Sequence, residues 1–401
     1  MTKFAARIGR TELAATFAMT ARARELREAG HDVISLSLGE PDFPTPAHVV
    51  DAAYAAAQRG DTKYPPLSGN EALRRAIAEK FEREHGLKVQ PTDILITNGG
   101  KQSIFNIVMS LINEGDEVII PAPAWAGYEQ TVNFVGGRSV FVPCPQDQGF
   151  VLPADALARA ITPRSKLLLL NYPSNPSGAT ISPAALAALA EVLRQNPHVF
   201  VLSDDIYEHL LFSSARHHTL LDVAPDLADR VVTLSGVSKT YAMTGWRVGW
   251  CIGPADIIKA ATVVQATATS GVSTVGQAAA LAALTGPQTF LAERASAYEQ
   301  RRDAVVAALN AAPGLTCHKP EGAFYVFPSI AGCIGKTTPT GRKIESDSDF
   351  AMALLEEAYV GVVQGSAFAM SPHIRISTAT DLPRLLEACK RLTAFCESLQ
   401  S

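Results

Sequence analysis

The sequence predicts an α/β protein, in which a large domain with a mostly parallel sheet covered by helices is followed by a smaller α+β domain. Between residues 93 and 203, apolar runs of strand length alternate with segments of helical periodicity, the order expected of parallel strands joined by helices. Polar or glycine-rich turns directly follow several of these runs, where the ligand sites of such sheets lie. After Gly253 the chain becomes more helical and then ends in short strands and helices.

The composition is typical of a globular protein with a large core. The chain has 401 residues, of which 47% are hydrophobic and 18% charged, and its formal net charge is −4. It has no polybasic run, no acidic tail and no apolar stretch of membrane-spanning length, so we expect no nucleic-acid or membrane partner and a cytoplasmic location. Its six cysteines form no C-x-x-C pair, which argues against a metal site and a disulfide framework.

The first predicted elements precede the alternating region. They are an arm over residues 1–15, a helix over 17–29, a strand over 33–38, a helix over 46–60 and a helix over 70–85. Gly30 and Gly86 each follow a helix directly, at the position where glycine commonly ends one. Pro46 favours the first turn of its helix, with Thr45 as the cap.

The alternating region supplies most of the predicted sheet. Strands are predicted over residues 94–97, 117–120, 139–142, 166–171, 199–203 and 231–234, with one more after residue 247. Helices are predicted over residues 101–111, 125–135 and 153–161, and another begins at Pro183 with Ser182 as its cap. The turn Asn98-Gly99-Gly100 allows the backbone to approach an anion at the start of the next helix.

The rest of the chain predicts a helical part and then the small domain. Helices are predicted over residues 256–268, 273–284, 288–311, 347–358 and 381–399, and strands over 315–318, 323–327, 361–364 and 373–377. The segment 329–346 is rich in Gly, Thr and Lys, and it is predicted to be a surface loop.

A lysine and an arginine follow the strand that ends at Leu234. Lys239 lies among small and apolar residues, where loss of solvent would lower the pKa of its amine and let it attack a carbonyl group. Arg247, eight positions later, suits a phosphate through charge-assisted hydrogen bonds. Together they fit a phosphorylated aldehyde cofactor, whereas an isolated pair of this kind would be interpreted as two surface charges.

Four further side chains have both an ordinary and a functional interpretation. Asp204 is either a helix cap or a carboxylate that keeps the nitrogen of a pyridine ring protonated. Asn175 is either a turn residue or a hydrogen-bond partner for a phenolate oxygen of that ring. Trp125 either packs in a helix core or stacks on a cofactor. Arg375, between two apolar strand residues, is either a solvated edge charge or the binding group for a substrate carboxylate.

Six motifs, in order along the chain, resemble those of the class I, fold-type I aminotransferases that depend on pyridoxal 5′-phosphate (PLP). They are Gly39-Glu-Pro-Asp-Phe43, Lys63-Tyr64, Asn175-Pro-Ser-Gly178, Ser203-Asp-Asp-Ile-Tyr207, Ser238-Lys239 with Arg247 after seven intervening residues, and Arg375. The resemblance covers nearly the whole chain. It implies the fold of those transferases, with residues 1–45 as an N-terminal arm and part of the small domain, 46–285 as the large PLP-binding domain and 286–401 as the C-terminal small domain.

The resemblance implies a set of cofactor-binding residues, three of which are also catalytic. Lys239 would bind the cofactor's aldehyde covalently, Asp204 would contact the pyridine nitrogen, and Tyr207 would contact the phenolic oxygen. Asn175 would join Tyr207 there, and Trp125 would stack on the ring. The phosphate would be held by Ser238, Arg247 and the backbone amides of Gly100 and Lys101, with Tyr64 reaching it from a second subunit.

The resemblance also implies where the substrate binds. Arg375 and the backbone of Gly39 would bind the α-carboxylate, next to Asn175 and Trp125. Within the family the chain looks most like the bacterial aspartate aminotransferase subgroup that includes aspartate/prephenate aminotransferases. In that subgroup, the residues at Lys101 and Thr16 receive the distal carboxylate of the substrate.

Three positions around the side-chain pocket depart from this subgroup. Ala124 stands where relatives commonly have an aromatic residue, Gly127 where they have serine, and the pair Leu13-Ala14 where they have Pro-Ser. These departures predict a roomier pocket.

The implied activity is transamination by a homodimer with shared active sites, using small amino acid and 2-oxo acid substrates. Aspartate with 2-oxoglutarate is the expected pair, and prephenate or other donors stay open. The alternatives are a PLP-dependent β-eliminating lyase and an aminotransferase for non-acidic or aromatic amino acids. A transcription regulator on the same fold would need an added DNA-binding domain. A non-enzymatic scaffold would leave Lys239, Asp204 and Arg375 buried without ligands, which is costly.

Overall fold

The computed structural model describes residues 4–11, 16–213 and 215–400, without the side chains of residues 16–18 and 20. The α-helices are α1 (Thr16–Glu28), α2 (Ala47–Gln58), α3 (Glu71–His85), α4 (Gly100–Leu111), α5 (Ala126–Val135), α6 (Ala154–Ala160), α7 (Pro183–Arg194), α8 (Leu220–Val223), α9 (Ala255–Ala268), α10 (Thr274–Thr285), α11 (Thr289–Ala311), α12 (Asp347–Ala358) and α13 (Leu382–Ser398). The β-strands are β1 (Ile34–Ser35), β2 (Ile94–Thr97), β3 (Glu117–Ala122), β4 (Arg138–Pro143), β5 (Ser165–Asn171), β6 (Phe200–Asp204), β7 (Val231–Gly236), β8 (Gly249–Ile252), β9 (Tyr325–Val326), β10 (Val360–Gly361), β11 (Val363–Gln364) and β12 (Ile374–Ser377).

A seven-stranded sheet in the order β2-β8-β7-β6-β5-β3-β4 forms the centre of the protein. The pairs from β7 through β6, β5 and β3 to β4 are all parallel. Strand β8 is antiparallel to both β7 and β2. The predicted fold class, an α/β protein with a mostly parallel sheet, is confirmed.

Continuous apolar strands allow helices to cover both faces of this sheet. In β5, Leu167 and Leu169 belong to the apolar cluster that includes residues of α4, α5 and α9. The alternate residues Leu168 and Leu170 belong to the cluster that includes residues of α7. Because successive side chains of a strand point to opposite faces, an uninterrupted leucine run requires apolar partners on both sides.

Two smaller sheets lie outside the central one. Strands β1 and β10 pair in parallel, and β11, β12 and β9 form an antiparallel sheet in that order. They share an apolar core with α11, α12 and α13, to which the buried residues Val305, Phe350 and Leu392 contribute. Strand β12 matters most for the site, because it carries Arg375 opposite Val363 of β11.

The structure differs from the sequence predictions mainly in the short elements. The predicted strand over residues 315–318 is reduced to an isolated bridge between Thr316 and Ser329, and that over 33–38 to Ile34–Ser35. Thr45 does not cap α2, because its hydroxyl donates instead to the carbonyl of Ala242 at 2.8 Å. Long-range contacts outweigh local preference in each case.

The segment 329–346 is more than the surface loop that its composition predicts. Ile330, Cys333 and Ile344 are all fully buried within the apolar core shared with α12 and α13. Their burial anchors the segment, while its polar residues provide the composition that suggested a loop. Across the described ranges, no helix is long and apolar enough to cross a membrane.

Candidate active site

A cavity of about 1040 Å³ lies at the carboxyl ends of the central strands. It brings together eleven of the thirteen predicted site residues: Gly39, Gly100, Lys101, Trp125, Asn175, Asp204, Tyr207, Ser238, Lys239, Arg247 and Arg375. Most of these residues follow β2, β3, β5, β6 and β7, whose ends open at the same edge of the sheet, whereas Gly39 follows β1 and Arg375 lies on β12. The position is the one expected for a ligand site in such a sheet.

Asp204 ends β6 and is only 5% exposed. Tyr128 donates a hydrogen bond to its Oδ2 at 2.7 Å, and the backbone amide of Ile206 donates to its Oδ1 at 3.2 Å. Burial raises the pKa of Asp204 to about 7, although the bond from Tyr128 works in the opposite direction. Among the described residues no basic side chain forms an ion pair with it, so its charge is incompletely compensated.

Lys239 carries the amine of the cavity. Its side chain is partly buried, and its ammonium donates a hydrogen bond to the carbonyl oxygen of Gly39. Burial lowers the pKa of Lys239 to about 8, and the nearby positive charges of Arg375 and Arg247 lower it further. A substantial fraction of the amine is therefore neutral and nucleophilic near neutral pH.

The start of α4 forms an anion-binding end of the cavity. Gly99 precedes the helix with φ +81°, and the amides of the first helical turn have no carbonyl partner within the helix. A Cβ on Gly99 would lie 2.5 Å from Nη2 of Arg247, so only glycine fits beneath the guanidinium. Gly249 permits an equally close approach, because a Cβ there would lie 2.6 Å from the nitrogen of Gly100. Ser238, whose hydroxyl is a further donor, lines the same cavity.

Arg375 is a buried cation, 5% exposed. It donates to Oδ1 of Asn175 at 3.0 Å and to the carbonyl of Ser37 at 2.6 Å, while its Nε has no hydrogen-bond partner among the described residues. Its guanidinium carbon lies 4.7 Å and 5.0 Å from the ring centroids of Tyr325 and Phe368. Burial lowers the pKa of Arg375, because it removes the guanidinium from water. Neither Asn175 nor the Ser37 carbonyl contributes a negative charge that would offset this effect. Arg375 therefore suits a bound carboxylate.

Tyr207 is also buried, and its hydroxyl lies 2.9 Å from that of Tyr325. Burial raises the pKa of Tyr207 well above its usual range, which keeps the phenol protonated and able to donate. Its position after β6 places it on the same strand end as Asp204. The two side chains thus present a donor and an acceptor to the same cavity.

Trp125 directly precedes α5, and its ring centroid lies 5.4 Å from Nζ of Lys101. This cation–π contact places the ammonium of Lys101 against the indole within the cavity. The indole also meets the ring of Tyr128 edge-on, with centroids 5.3 Å apart.

The remaining two predicted site residues are Tyr64 and Thr16. Tyr64 is 97% exposed on the surface of the single chain. The backbone of Thr16 begins α1, whereas its side chain lies outside the described part of the structure.

Sequence reasoning missed four groups that contact the predicted residues. They are Tyr128, Tyr325, Phe368 and the carbonyl of Ser37. Tyr128 had a usable signal, because it lies one helical turn after Trp125 at the same sheet edge. The other three come from segments remote in sequence, and no local pattern identifies them.

Comparisons with known proteins all indicate the same family. Residues 31–392 match the family described as aminotransferase class I and II. An aspartate/prephenate aminotransferase from Cereibacter sphaeroides is 50% identical over 392 residues, which cover 98% of each chain. The crystal structure of the aspartate aminotransferase from Rhizobium meliloti is 48% identical, with a TM-score of 0.97 and complete coverage of both chains. A structure of Thermus thermophilus aspartate aminotransferase with maleate is 39% identical, with a TM-score of 0.91, covering 98% of this chain and 100% of that one.

Replacement of Asp204 by Asn is expected to stabilise the ligand-free protein in a pH-dependent way. The folded-state pKa of Asp204, about 7, lies above its ordinary value of 3.8, so the wild type loses stability as pH rises between these values. Asn does not titrate and can still accept the bond from Tyr128. Urea unfolding at pH 5, 6, 7 and 8 should show an advantage for the variant that grows with pH and reaches a few kcal/mol, on the order set by the shift.

Asp155→Asn is the matched control, because that carboxylate is exposed on α6 and hydrogen-bonded to Arg159. It is expected to give no stabilisation at any of these pH values. A variant at Asp204 that was less stable than the wild type at pH 8 would contradict the assignment of a costly buried charge.

Proposed function

The chain belongs to the aminotransferase class I and II family and is an aminotransferase, and we propose that it uses pyridoxal 5′-phosphate to move the α-amino group of aspartate to 2-oxoglutarate. The observation that carries this proposal is the buried amine of Lys239 in one cavity with Asp204 and Arg375. The three groups match an aldehyde, a pyridine nitrogen and a substrate carboxylate, respectively.

The ring of the cofactor fits the polar groups of the cavity. A buried carboxylate whose pKa is raised to about 7 favours a cationic hydrogen-bond donor, and the protonated pyridine nitrogen is such a donor for Asp204. Tyr207 keeps its proton and can donate to the phenolic oxygen. Because Oδ1 of Asn175 accepts from Arg375, the amide nitrogen of Asn175 is free to donate to the same oxygen. We propose that the indole of Trp125 stacks on the face of the cofactor's ring.

The phosphate fits the start of α4. The amides of Gly100 and Lys101 belong to the first turn, where the helix dipole favours an anion. Arg247 and the hydroxyl of Ser238 line the same part of the cavity. A phosphate at this end would offset the positive charge of Arg247.

Arg375 and the backbone of Gly39 are proposed to bind the α-carboxylate of the substrate. The unpartnered Nε of Arg375 supports this role, because a carboxylate would satisfy it. Gly39 lies directly beside this residue, since a Cβ on Gly39 would come within 2.8 Å of the Tyr325 hydroxyl and 3.9 Å of Nη1 of Arg375. The backbone there can approach the substrate only because no side chain intervenes.

When bound, the cofactor supplies an aldehyde that accepts the amino group and a ring that takes up the electrons released at Cα. Lys239 would take the proton from Cα of the substrate at Nζ and deliver it to the carbon of the cofactor's aldehyde group, acting as general base and then general acid. A pKa of about 8 suits both roles near neutral pH. Asp204 holds the ring nitrogen in its protonated form, and Tyr207 stabilises the negative charge on the phenolic oxygen.

Acidic substrates are proposed because of the charge in the side-chain part of the cavity. Lys101 holds its ammonium against the Trp125 indole there, where a distal carboxylate can reach it. The similarity to relatives named as aspartate aminotransferases supports this assignment, and one of them was solved with maleate, a dicarboxylate. Thr16 is proposed as the second ligand of that carboxylate.

A homodimer is proposed, in which Tyr64 contacts the phosphate bound by a second copy. The 97% exposure of Tyr64 agrees with a partner in the assembled protein. Several other large apolar side chains are exposed as well, including those of Val50, Tyr54, Met109 and Val263. An interface between subunits would cover those of these side chains that form a contiguous patch with Tyr64.

Replacing Lys239 by Ala is expected to reduce transamination by at least about a thousandfold, because the variant lacks the base that moves the Cα proton. Oxaloacetate formation from aspartate, with and without 2-oxoglutarate, measures the reaction. Lys259→Ala, which removes an exposed lysine of α9, is the control and should keep full activity. Undiminished turnover in the Lys239 variant would refute its role, and release of pyruvate and ammonia from cysteine without an oxo acid acceptor would favour a lyase.

Replacing Lys101 by Gln is expected to raise KM for aspartate and 2-oxoglutarate by about tenfold or more. The variant loses a charge-assisted hydrogen bond to the distal carboxylate but keeps a polar side chain of similar length. Alanine and pyruvate lack that carboxylate and serve as internal control substrates, whose KM should hardly change. Equal effects on both substrate pairs would show that Lys101 acts on the cofactor alone.

Mixing the inactive variants Lys239→Ala and Tyr64→Ala should restore activity, provided that each subunit receives Tyr64 from its partner. In the hybrid dimer, one site then combines an intact Lys239 with an intact Tyr64 of the second copy. Subunits would be dissociated in mild denaturant, mixed and reassembled, with each variant treated alone as the control. Absence of restored activity in hybrids that sediment as dimers would contradict the shared site.

A further inference from the structure

Gly127 lies in the first turn of α5, directly beneath the indole of Trp125. A Cβ at this position would lie 2.3 Å from Cη2 of Trp125 and 2.5 Å from both Cζ2 and Cζ3. A side chain here could be accommodated only if the indole moved, so the indole occupies space that the glycine leaves open. The φ of Gly127 is not in the left-handed region, which means that space rather than backbone conformation requires the glycine.

Helix propensity alone favours alanine over glycine at this position. The glycine therefore has a packing reason, and the indole is the group that uses the space. Thr131 donates from its hydroxyl to the carbonyl of Gly127 at 2.7 Å, which fixes this turn of the helix from the other side. The helix backbone cannot easily retreat from a new side chain, so the indole would have to move.

The open direction for that movement is the cavity. Trp125, Gly127 and Lys101 all line it, and the ring of Tyr128 meets the indole edge-on at 5.3 Å. A methyl group at position 127 would displace the indole by about 1 Å to reach ordinary van der Waals contact. The displaced ring would narrow the space in which Lys101 and the substrate side chain meet.

We propose that Gly127 is a specificity-determining residue, which acts by letting the Trp125 indole lie against α5 and so keeps the side-chain part of the cavity wide enough for aromatic amino acids as well as aspartate. The inference rests on the proposed function, because it concerns the substrates of that reaction. Gly127 has no side chain of its own, and its effect is exerted through the indole that packs on it. It is a positioning residue for Trp125.

The test compares the holoenzyme of the wild type with Gly127→Ala and Gly127→Ser, using aspartate and phenylalanine as donors and 2-oxoglutarate as acceptor. The kcat/KM for phenylalanine is expected to fall by about tenfold or more, because a pocket that loses the space of about one carbon atom discriminates against a larger substrate by about that factor. The kcat/KM for aspartate should change by less than about threefold, because its smaller side chain still reaches Lys101.

Two controls separate this role from a general disturbance. Gly245→Ala adds a methyl group where nothing lies within 4 Å, and it should leave the ratio of the two donors unchanged. In a Trp125→Ala background, Gly127→Ala should no longer change the donor ratio, because the group through which it acts is absent.

Tryptophan fluorescence provides a readout that does not depend on turnover. The chain has three tryptophans, and only Trp125 contacts Gly127. Acrylamide quenching should therefore increase in Gly127→Ala, as the indole moves into the cavity. The increase should be absent when the same substitution is made in a Trp125→Phe background.

An unchanged donor ratio in both Gly127 variants would overturn the inference, as would a wild type that does not use phenylalanine. A ratio change that persists in the Trp125→Ala background would also overturn it, by showing that the indole is not involved. If the wild type fails to transfer nitrogen from aspartate to 2-oxoglutarate, the proposed function fails instead. The quenching comparison then still decides whether Gly127 positions the indole.

Discussion

The burial of three ionisable side chains in one cavity is the constraint on which the rest of the site depends. Asp204 and Arg375 are nearly inaccessible and Lys239 is partly buried, and burial shifts the pKa of each in the direction that favours its neutral form. Such groups bind a complementary charge more strongly than surface groups do, because water no longer screens the interaction. The fold makes this arrangement tolerable by supplying hydrogen bonds from fixed groups, such as the Tyr128 hydroxyl to Asp204 and the Ser37 carbonyl to Arg375.

Close backbone approach is the second requirement, and glycine provides it at opposite ends of the cavity. Gly249 and Gly99 let β8 and Arg247 pack directly on the start of α4, which leaves its free amides exposed to an anion. Gly39 does the same beside Arg375. In each place an added Cβ would collide with a group that the site uses. These glycines therefore connect the packing of the sheet to the chemistry at its edge.

The sequence predicts the central sheet well because its signal is local. A run such as that of β5, with four consecutive leucines in a short segment between turns, is typical of a strand covered on both faces. The turns after such strands then indicate where Asp204, Asn175 and Lys239 meet. Tyr325 and Phe368 could not be found in this way, since they approach Arg375 from segments far away in the chain. Short strands such as β1 and β9 also depend on pairing with remote partners, so their extent was predicted poorly.

The segment after β6 shows how one strand end serves both stability and chemistry. Asp204 and Tyr207 face the cavity, whereas Glu208 faces a buried cluster in which Lys80 lies 2.9 Å from its carboxylate. Burial by itself would raise the pKa of Glu208, but the Lys80 ammonium lowers it to about 2. Asp204 is equally buried, forms no such ion pair with the residues that the structure describes, and has a pKa of about 7. The chain thus supplies a counter-ion for Glu208, whose charge has a structural role. Asp204 is left without one among the described residues, and it is the carboxylate that a cationic ligand can stabilise.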